Sequence, residues 1–229
     1  MTLRSVDQLS RVSINRNQLN LLLKLPDWFT RFLPSFVPLR SMLSHIKQYQ
    51  FAAEHLEKES RVLDVACGVG YGSEILRLHG NNVVGVDINP DNIEFARKNY
   101  PDNSYSVGDA EDLAYPDRSF DAIVSIQTIE HLNHPNRAMK GFKRLIRSEG
   151  FLIGAIPINC RHKLNIDSEA KEVYLIADCK NLVMSVFDNI QWFFNDFKTN
   201  RICETSEIFL EGLTTHCGDF VFIARQEAK

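Results

Sequence analysis

The stretch VLDVACGVGYGSEIL, residues 62–76, sets Gly68, Gly70 and Gly72 between an apolar run and the start of a helical pattern, with Asp64 ahead of the first glycine. Glycines so placed let the backbone come close to a ligand. A phosphate-binding loop needs a lysine and then Ser or Thr after its last glycine, and Ser73 and Glu74 stand there instead. A dinucleotide loop spaced GxGxxG would place its third glycine at Ser73, which weakens that reading without removing it. Asp64 discriminates further, because a carboxylate repels a pyrophosphate and attracts a cation. A ligand bearing an ammonium and a sulfonium, such as S-adenosylmethionine, suits it.

Two more acids fall in order behind the first. Asp87 closes the buried run NNVVGVD, where a carboxylate can accept two ribose hydroxyls, and Ile88 then lies against the adenine face. Asp109, in VGDAEDL, ends the next run and can accept the adenine amino group, with the Ala110 backbone reading the ring edge. Ala66, Gly68 and Gly70 in the loop and Gln127 after the fourth strand complete the expected contacts. Taken singly, an aspartate after a strand is often only a helix cap. The ordered set is what carries the reading.

Methyl transfer is an in-line displacement at an activated carbon, so the protein mainly aligns the reactants and supplies a base where the acceptor must lose a proton. The acceptor side is expected after the fourth strand, in SIQTIEHLNHP, where Ser125 to Thr128 replace the [ND]PPY of many amino-group methylases. His131 is the candidate base, since an imidazole titrates near pKa ~6.5. Lys140, Lys143, Arg144 and Arg147 share one helical face, ordinarily a solvated stripe.

These residues require an alternating scaffold. Short β-branched runs and helical patterns predict strands over 61–65, 82–87, 104–108, 120–126, 151–156, 189–197 and 220–224. Helices are expected over 73–79, 90–100, 135–147 and 168–187, with NPDNIEFARKNYP starting and stopping as a helix does. The stretch 198–218 is too polar and interrupted for a crossover helix, so the last two strands are expected to be antiparallel. The result is an α/β, Rossmann-like, seven-stranded, mostly parallel sheet with one antiparallel strand and helices on both faces. Residues 1–60 read as a helical extension capping the ligand edge, and 61–229 as the ligand-binding domain.

With 229 residues, 44% hydrophobic and 24% charged, the chain can bury a full core. A net charge of −3 gives no basic excess to draw nucleic acid. Five scattered cysteines suit a reducing cytoplasm, and the N-terminal residues lack a signal-peptide pattern. The apolar stretch 19–39 is interrupted by Lys24, Asp27, Arg31 and three prolines, so no transmembrane span is expected there. Trp28, Phe29, Phe32 and Phe36 read first as core, and otherwise as a peripheral membrane foot.

From about residue 60 to 157 the chain resembles the class I S-adenosylmethionine-dependent methyltransferases of the type 11 branch. VLDVACGVGYGSEIL matches the cofactor loop, VVGVDINPDNIEFAR the ribose strand and helix, and VGDAEDLAYPDRSFDAIVS the adenine loop and fourth strand. The resemblance implies S-adenosyl-L-methionine as cofactor and a small-molecule acceptor methylated at oxygen. It also implies cofactor contact for Tyr49 in QYQFAAEHL, where Gln48 replaces an arginine found in relatives. TIEHL resembles a metal-binding segment of small-RNA 2′-O-methyltransferases through Glu130 and His131, but Gln127 stands where a glutamate ligand would be, and no metal is expected even with His134 or His162 nearby. A lipid- or glycan-directed methyltransferase, a non-catalytic cofactor-binding protein and an NAD(P)-dependent oxidoreductase are the alternatives.

Overall fold

β1 (Arg61–Val65) has an exposed first residue followed by four buried ones, the pattern of a parallel strand covered on both faces. The structure, a computed structural model, describes residues 14–24, 37–158, 176–196, 201–204 and 218–227. β2 (Asn82–Asp87), β3 (Ser104–Val107), β4 (Phe120–Ile126) and β5 (Ile146–Ile158) lie parallel to β1. β6 (Asn189–Asp196), β7 (Arg201–Glu204) and β8 (Gly218–Arg225) complete the order β3-β2-β1-β4-β5-β8-β6-β7. The chain order reverses beside β1, so the carboxyl ends of β1 and β4 flank a crevice of the kind that holds ligands in such sheets.

The sheet has eight strands where the sequence predicts seven, and two of them are reversed. β8 runs antiparallel to both β5 and β6, as expected for the end of the chain. The additional strand, β7, pairs antiparallel with β6 inside the stretch read as too polar. Its side chains are exposed or half-buried, so it lacks the apolar alternation by which strands are recognised. Main-chain pairing to an edge forms it.

Helices α3 (Tyr71–Leu78), α4 (Pro90–Asn99) and α5 (Pro135–Leu145) connect the parallel strands. α4 begins as its sequence requires: the Asn89 side chain accepts from the Asp91 amide at 2.9 Å, and Pro90 occupies the first turn. α5 stops at Leu145 because β5 starts at Ile146, pairing with Phe120 across an irregularity in β4. α6 (Ile176–Met184) falls inside the expected helix 168–187, whose first part lies outside the described residues.

Alternation along the strands divides the core in two. Phe220, Phe222 and Ala224 of β8 face the side covered by α5 and α6, with Phe142, Val183 and Phe187. Val221 and Ile223 face the other side, covered by α1 (Arg16–Leu23) and α2 (Val37–Glu54) through Leu19, Met42, Ile46 and Ala52. α1 carries a capping box between Asn15 and Gln18 and is tied to the domain by the Tyr100 hydroxyl, which donates to the Ile14 carbonyl at 2.6 Å. Arg16 pairs at 2.9 Å with the buried carboxylate of Glu74. The N-terminal helices therefore share a hydrophobic core with the sheet. No described helix is long and apolar enough to cross a membrane, and the four aromatic residues 28, 29, 32 and 36 lie outside the described residues.

Lys140, Lys143 and Arg144 lie on α5, but Arg147 falls in β5, because the helix expected over 135–147 ends at Leu145. Lys143 donates to the Val186 carbonyl, Arg144 binds Asp117 at 2.7 Å together with the carbonyls of Leu113 and Tyr115, and Arg147 pairs with Asp121. Lys143 and Arg144 thereby brace loops at the amino edge of the sheet, and Arg147 ties β5 to β4.

Candidate functional site

β1, β2, β3 and β4 deliver their carboxyl ends to one edge, with Asp64 paired to Gly85 and Val124, and Asp87 paired to Val107. Beyond β1, Ala66, Gly68 and Gly70 all have positive φ, at 55°, 55° and 87°. The backbone turns sharply there, then enters α3. A Cβ on Gly68 would meet no atom within 4 Å, so this flank of the loop is open to a ligand. Gly72 acts on packing instead, since a Cβ there would lie 2.1 Å from Cζ of Tyr49 and its absence lets α2 lie against α3.

That close approach places the Tyr49 hydroxyl on Asp64. Tyr49 donates to Oδ1 at 3.0 Å and Ser73 to Oδ2 at 2.6 Å, and Asp64 is entirely buried. The acid thus lies beneath the loop with both oxygens engaged, rather than projecting to meet a ligand directly. Burial pushes its carboxyl up to about 7; the bonds from Ser73 and Tyr49 oppose that rise, and the charge of Asp87 adds to it. The other titratable groups coupled to it are Cys67, Tyr71 and Tyr105, none of them cationic. His45, bonded to Tyr71 at 3.1 Å, is itself lowered to about 4 by burial and is neutral at pH 7. Gly72→Ala is expected to displace the Tyr49 ring and lower stability by about 1–3 kcal/mol. Differential scanning calorimetry checks this, and an unchanged melting temperature would show that the ring yields freely.

Asp87 is 7% exposed at the end of β2. One of its oxygens accepts the Gly68 amide at 2.9 Å, and the other accepts the Asn89 amide and the Asn92 side chain at 2.9 and 3.1 Å. It therefore shapes the glycine loop while facing the same edge. Ile88, at 68%, and Val107, at 53%, are among the most exposed large apolar side chains described, and they stand at the ends of neighbouring strands. Asp109 is exposed and accepts the Glu111 amide at 2.8 Å, with Ala110 half-buried against the core.

After β4 the backbone turns again at Gln127, whose φ is 51°. Ala66 and Gln127 are thus non-glycine residues in the left-handed region at the ends of adjacent strands, and such strain gathers at functional edges. Gln127 donates from its side chain to Asp219 at 2.8 Å, so that group is committed to the interior. The short 3-10 turn Ile129–His131 follows. His131 is about one-third exposed, with Nε2 at 3.8 Å from Oε1 of the buried Glu130. His134 stands exposed at the residue before α5 without a side-chain capping bond, and His162 lies outside the described residues. Among the described residues, no three His, Cys, Asp or Glu side chains converge as metal ligands would.

Two features went unread in the sequence. Glu111 accepts the amides of Asn133 and His134 at 2.6 and 3.0 Å, tying the loop after β3 to the loop after β4. Asp219, fully enclosed at the start of β8, accepts from Gln127, Ser44, Gln48 and Asn195. Burial pushes the Asp219 carboxyl up to about 6 against those four donors, which leaves it ionised at neutral pH. Gln48 is spoken for by this acid.

Comparison with known proteins agrees with the architecture. Residues 63–154 match a family model described as "Methyltransferase domain". Over 114 residues the chain is 34% identical to phthiotriol/phenolphthiotriol dimycocerosates methyltransferase 1 of Mycobacterium ulcerans (strain Agy99), covering 48% of this chain and 42% of that protein. Over 121 residues it is 30% identical to the demethylmenaquinone methyltransferase of Chlorobaculum tepidum, covering 52% and 48%. The chain thus spans less than half the length of these two relatives. A solved S-adenosylmethionine-dependent methyltransferase of Thermotoga maritima, described as a possible histamine N-methyltransferase, superposes with a TM-score of 0.66 at 19% identity. That match covers 87% of this chain and 98% of the other, and it concerns the fold. Residues 63–154 thus match a methyltransferase domain, and the fold around them is one shared with solved S-adenosylmethionine-dependent methyltransferases.

Proposed function

We propose that this protein transfers a methyl group from S-adenosyl-L-methionine to an oxygen of a small, largely apolar or lipid-type acceptor. One observation carries the donor assignment: Asp64 is a buried carboxylate with no cation against it among the described residues, directly beneath a loop whose Gly68 flank is open. A cationic ligand at that loop compensates the charge. Asp87 accepts the ribose hydroxyls beside it, Ile88 and Val107 offer apolar surface to a flat base, and Asp109 with Ala110 reads its polar edge. When bound, the cofactor supplies a methyl group already activated for displacement by its sulfonium.

The chain's own residues then align and deprotonate. Tyr49 and Ser73 hold Asp64 in place, and Asp87 sets the glycine loop through the Gly68 amide. His131 accepts the proton of an acceptor hydroxyl, its Nε2 lying 3.8 Å from Oε1 of the neighbouring Glu130. Beside that turn a cleft of about 690 Å³, lined by Asn133, His134, Arg137 and Asn181, opens toward α6 and suits the polar end of an acceptor. Of the proposed 1–60 extension, α2 brings Tyr49 to the ligand edge of the 61–229 domain. The acceptor class rests on the names of the two relatives, a dimycocerosates and a demethylmenaquinone methyltransferase.

The direct test is incubation with methyl-labelled S-adenosylmethionine and a fractionated metabolite and lipid extract, followed by identification of the labelled product. Label in an ether or ester oxygen of an apolar product supports the reading; binding of NADH in place of S-adenosylmethionine would overturn it. His131→Ala is expected to lower kcat on the order of 100-fold while cofactor affinity by calorimetry stays within about two-fold. Unaltered kcat would remove His131 as the base.

A further inference from the structure

Asp219 stands outside the cofactor loop, yet it receives hydrogen bonds from three other parts of the fold. Gln127 reaches Oδ1 from the end of β4 at 2.8 Å. Ser44 and Gln48 reach Oδ2 from α2, Ser44 at 3.2 Å, and Asn195 joins from β6 at 3.1 Å. Asn195 also donates to Ser44 at 2.8 Å. Ser44, Gln48, Asn195 and Asp219 are all buried. Both amides present their NH2 to the carboxylate, which leaves Gln48 Oε1 and Asn195 Oδ1 without a hydrogen-bond partner among the described residues. A neutral centre would let either amide rotate to satisfy its own oxygen; a charge-assisted acceptor outweighs that gain. The carboxylate therefore dictates the whole arrangement.

The residue after Gln48 on α2 is Tyr49, the donor to Asp64. One turn of helix is thereby held on two buried acids, one under the glycine loop and the other under the end of β4. We infer that Asp219 is a positioning residue that latches α2 onto the sheet and holds both Tyr49 and Gln127 at the methyl-donor edge. The inference rests on the proposed donor site for its functional consequence, and on geometry alone for the latch. Breaking the latch frees α2, loosens the Tyr49 contact to Asp64 and releases Gln127 from its left-handed turn, with the strands left in place.

Two variants and two measurements test it on the full chain. Asp219→Ala removes the common acceptor, and Gln48→Leu removes the helix half of the latch while leaving Asp219 its other donors, so the second variant keeps the test alive if the first fails to fold. In hydrogen exchange without ligand, amides of 42–53 should exchange at least ten-fold faster in either variant, with β1, β4 and β5 unchanged. By calorimetry, S-adenosylmethionine affinity should fall at least five-fold, and Asp219→Asn, which keeps one carbonyl acceptor, should recover part of both effects. Unchanged exchange over 42–53 overturns the latch, and faster exchange with full affinity overturns its link to the site. If the unaltered protein binds no S-adenosylmethionine, the donor assignment itself fails, and the exchange result still decides the latch.

Discussion

Replacing Asp87 with alanine is expected to weaken S-adenosylmethionine binding by about 30-fold or more, equivalent to roughly 2 kcal/mol. Two losses combine. The ribose hydroxyls forfeit a charged acceptor, and the Gly68 and Asn89 amides forfeit the carboxylate that now holds the loop and the start of α4. The acid is nearly buried, so water replaces it poorly. Asp87→Asn separates the two contributions: its single carbonyl can keep the Gly68 amide while the charge is gone, and an intermediate loss of affinity is expected. Isothermal titration of both variants measures this, and undiminished affinity in Asp87→Ala would take the residue out of the site.

Asp64 should make affinity depend on pH in a direction its burial dictates. With its carboxyl near 7 in the ligand-free protein, a large fraction is protonated at pH 6 and little at pH 8. A cationic ligand favours the ionised form, so S-adenosylmethionine should bind about ten-fold more tightly at pH 8 than at pH 6. S-adenosylhomocysteine, which lacks the sulfonium charge, should show a shallower dependence. Stability without ligand moves the other way. The folded carboxyl titrates above the ordinary value of 3.8, so the native state holds more protons than the unfolded chain between about pH 4 and 7, and stability falls as pH rises through that window. The ionised acid costs on the order of a few kcal/mol at pH 8. Asp64→Asn should accordingly raise the melting temperature at pH 8, flatten its pH dependence and weaken cofactor binding. A variant that binds S-adenosylmethionine normally would exclude Asp64 as the charge partner.

Asp64 and Asp219 share one design, a buried acid held by donors from α2. Their roles differ in what compensates them. Asp219 has four donors, the inward Gln127 among them, whereas Asp64 has two hydroxyls and an open loop above it. The first suits holding structure together, the second receiving a charge.

The order of glycines and acids, the start of α4 at Asn89 and Pro90, and the antiparallel end of the sheet are all legible in the sequence, because each depends on local periodicity or on residues a few positions apart. The sequence also singles out Asp64, since its sign and spacing before Gly68 are local facts. Other features depend on distance. β7 exists because an edge offered main-chain partners to a polar segment that has no pattern of its own. The burial of Asp64 depends on Tyr49 fitting where Gly72 lacks a side chain, and the Asp219 cluster joins residues as far as 175 positions apart. Hydrogen bonds of that span leave no spacing to read. Residue type and order determined which donor this chain is built to hold; tertiary packing decided how its acids are charged and what keeps them in place.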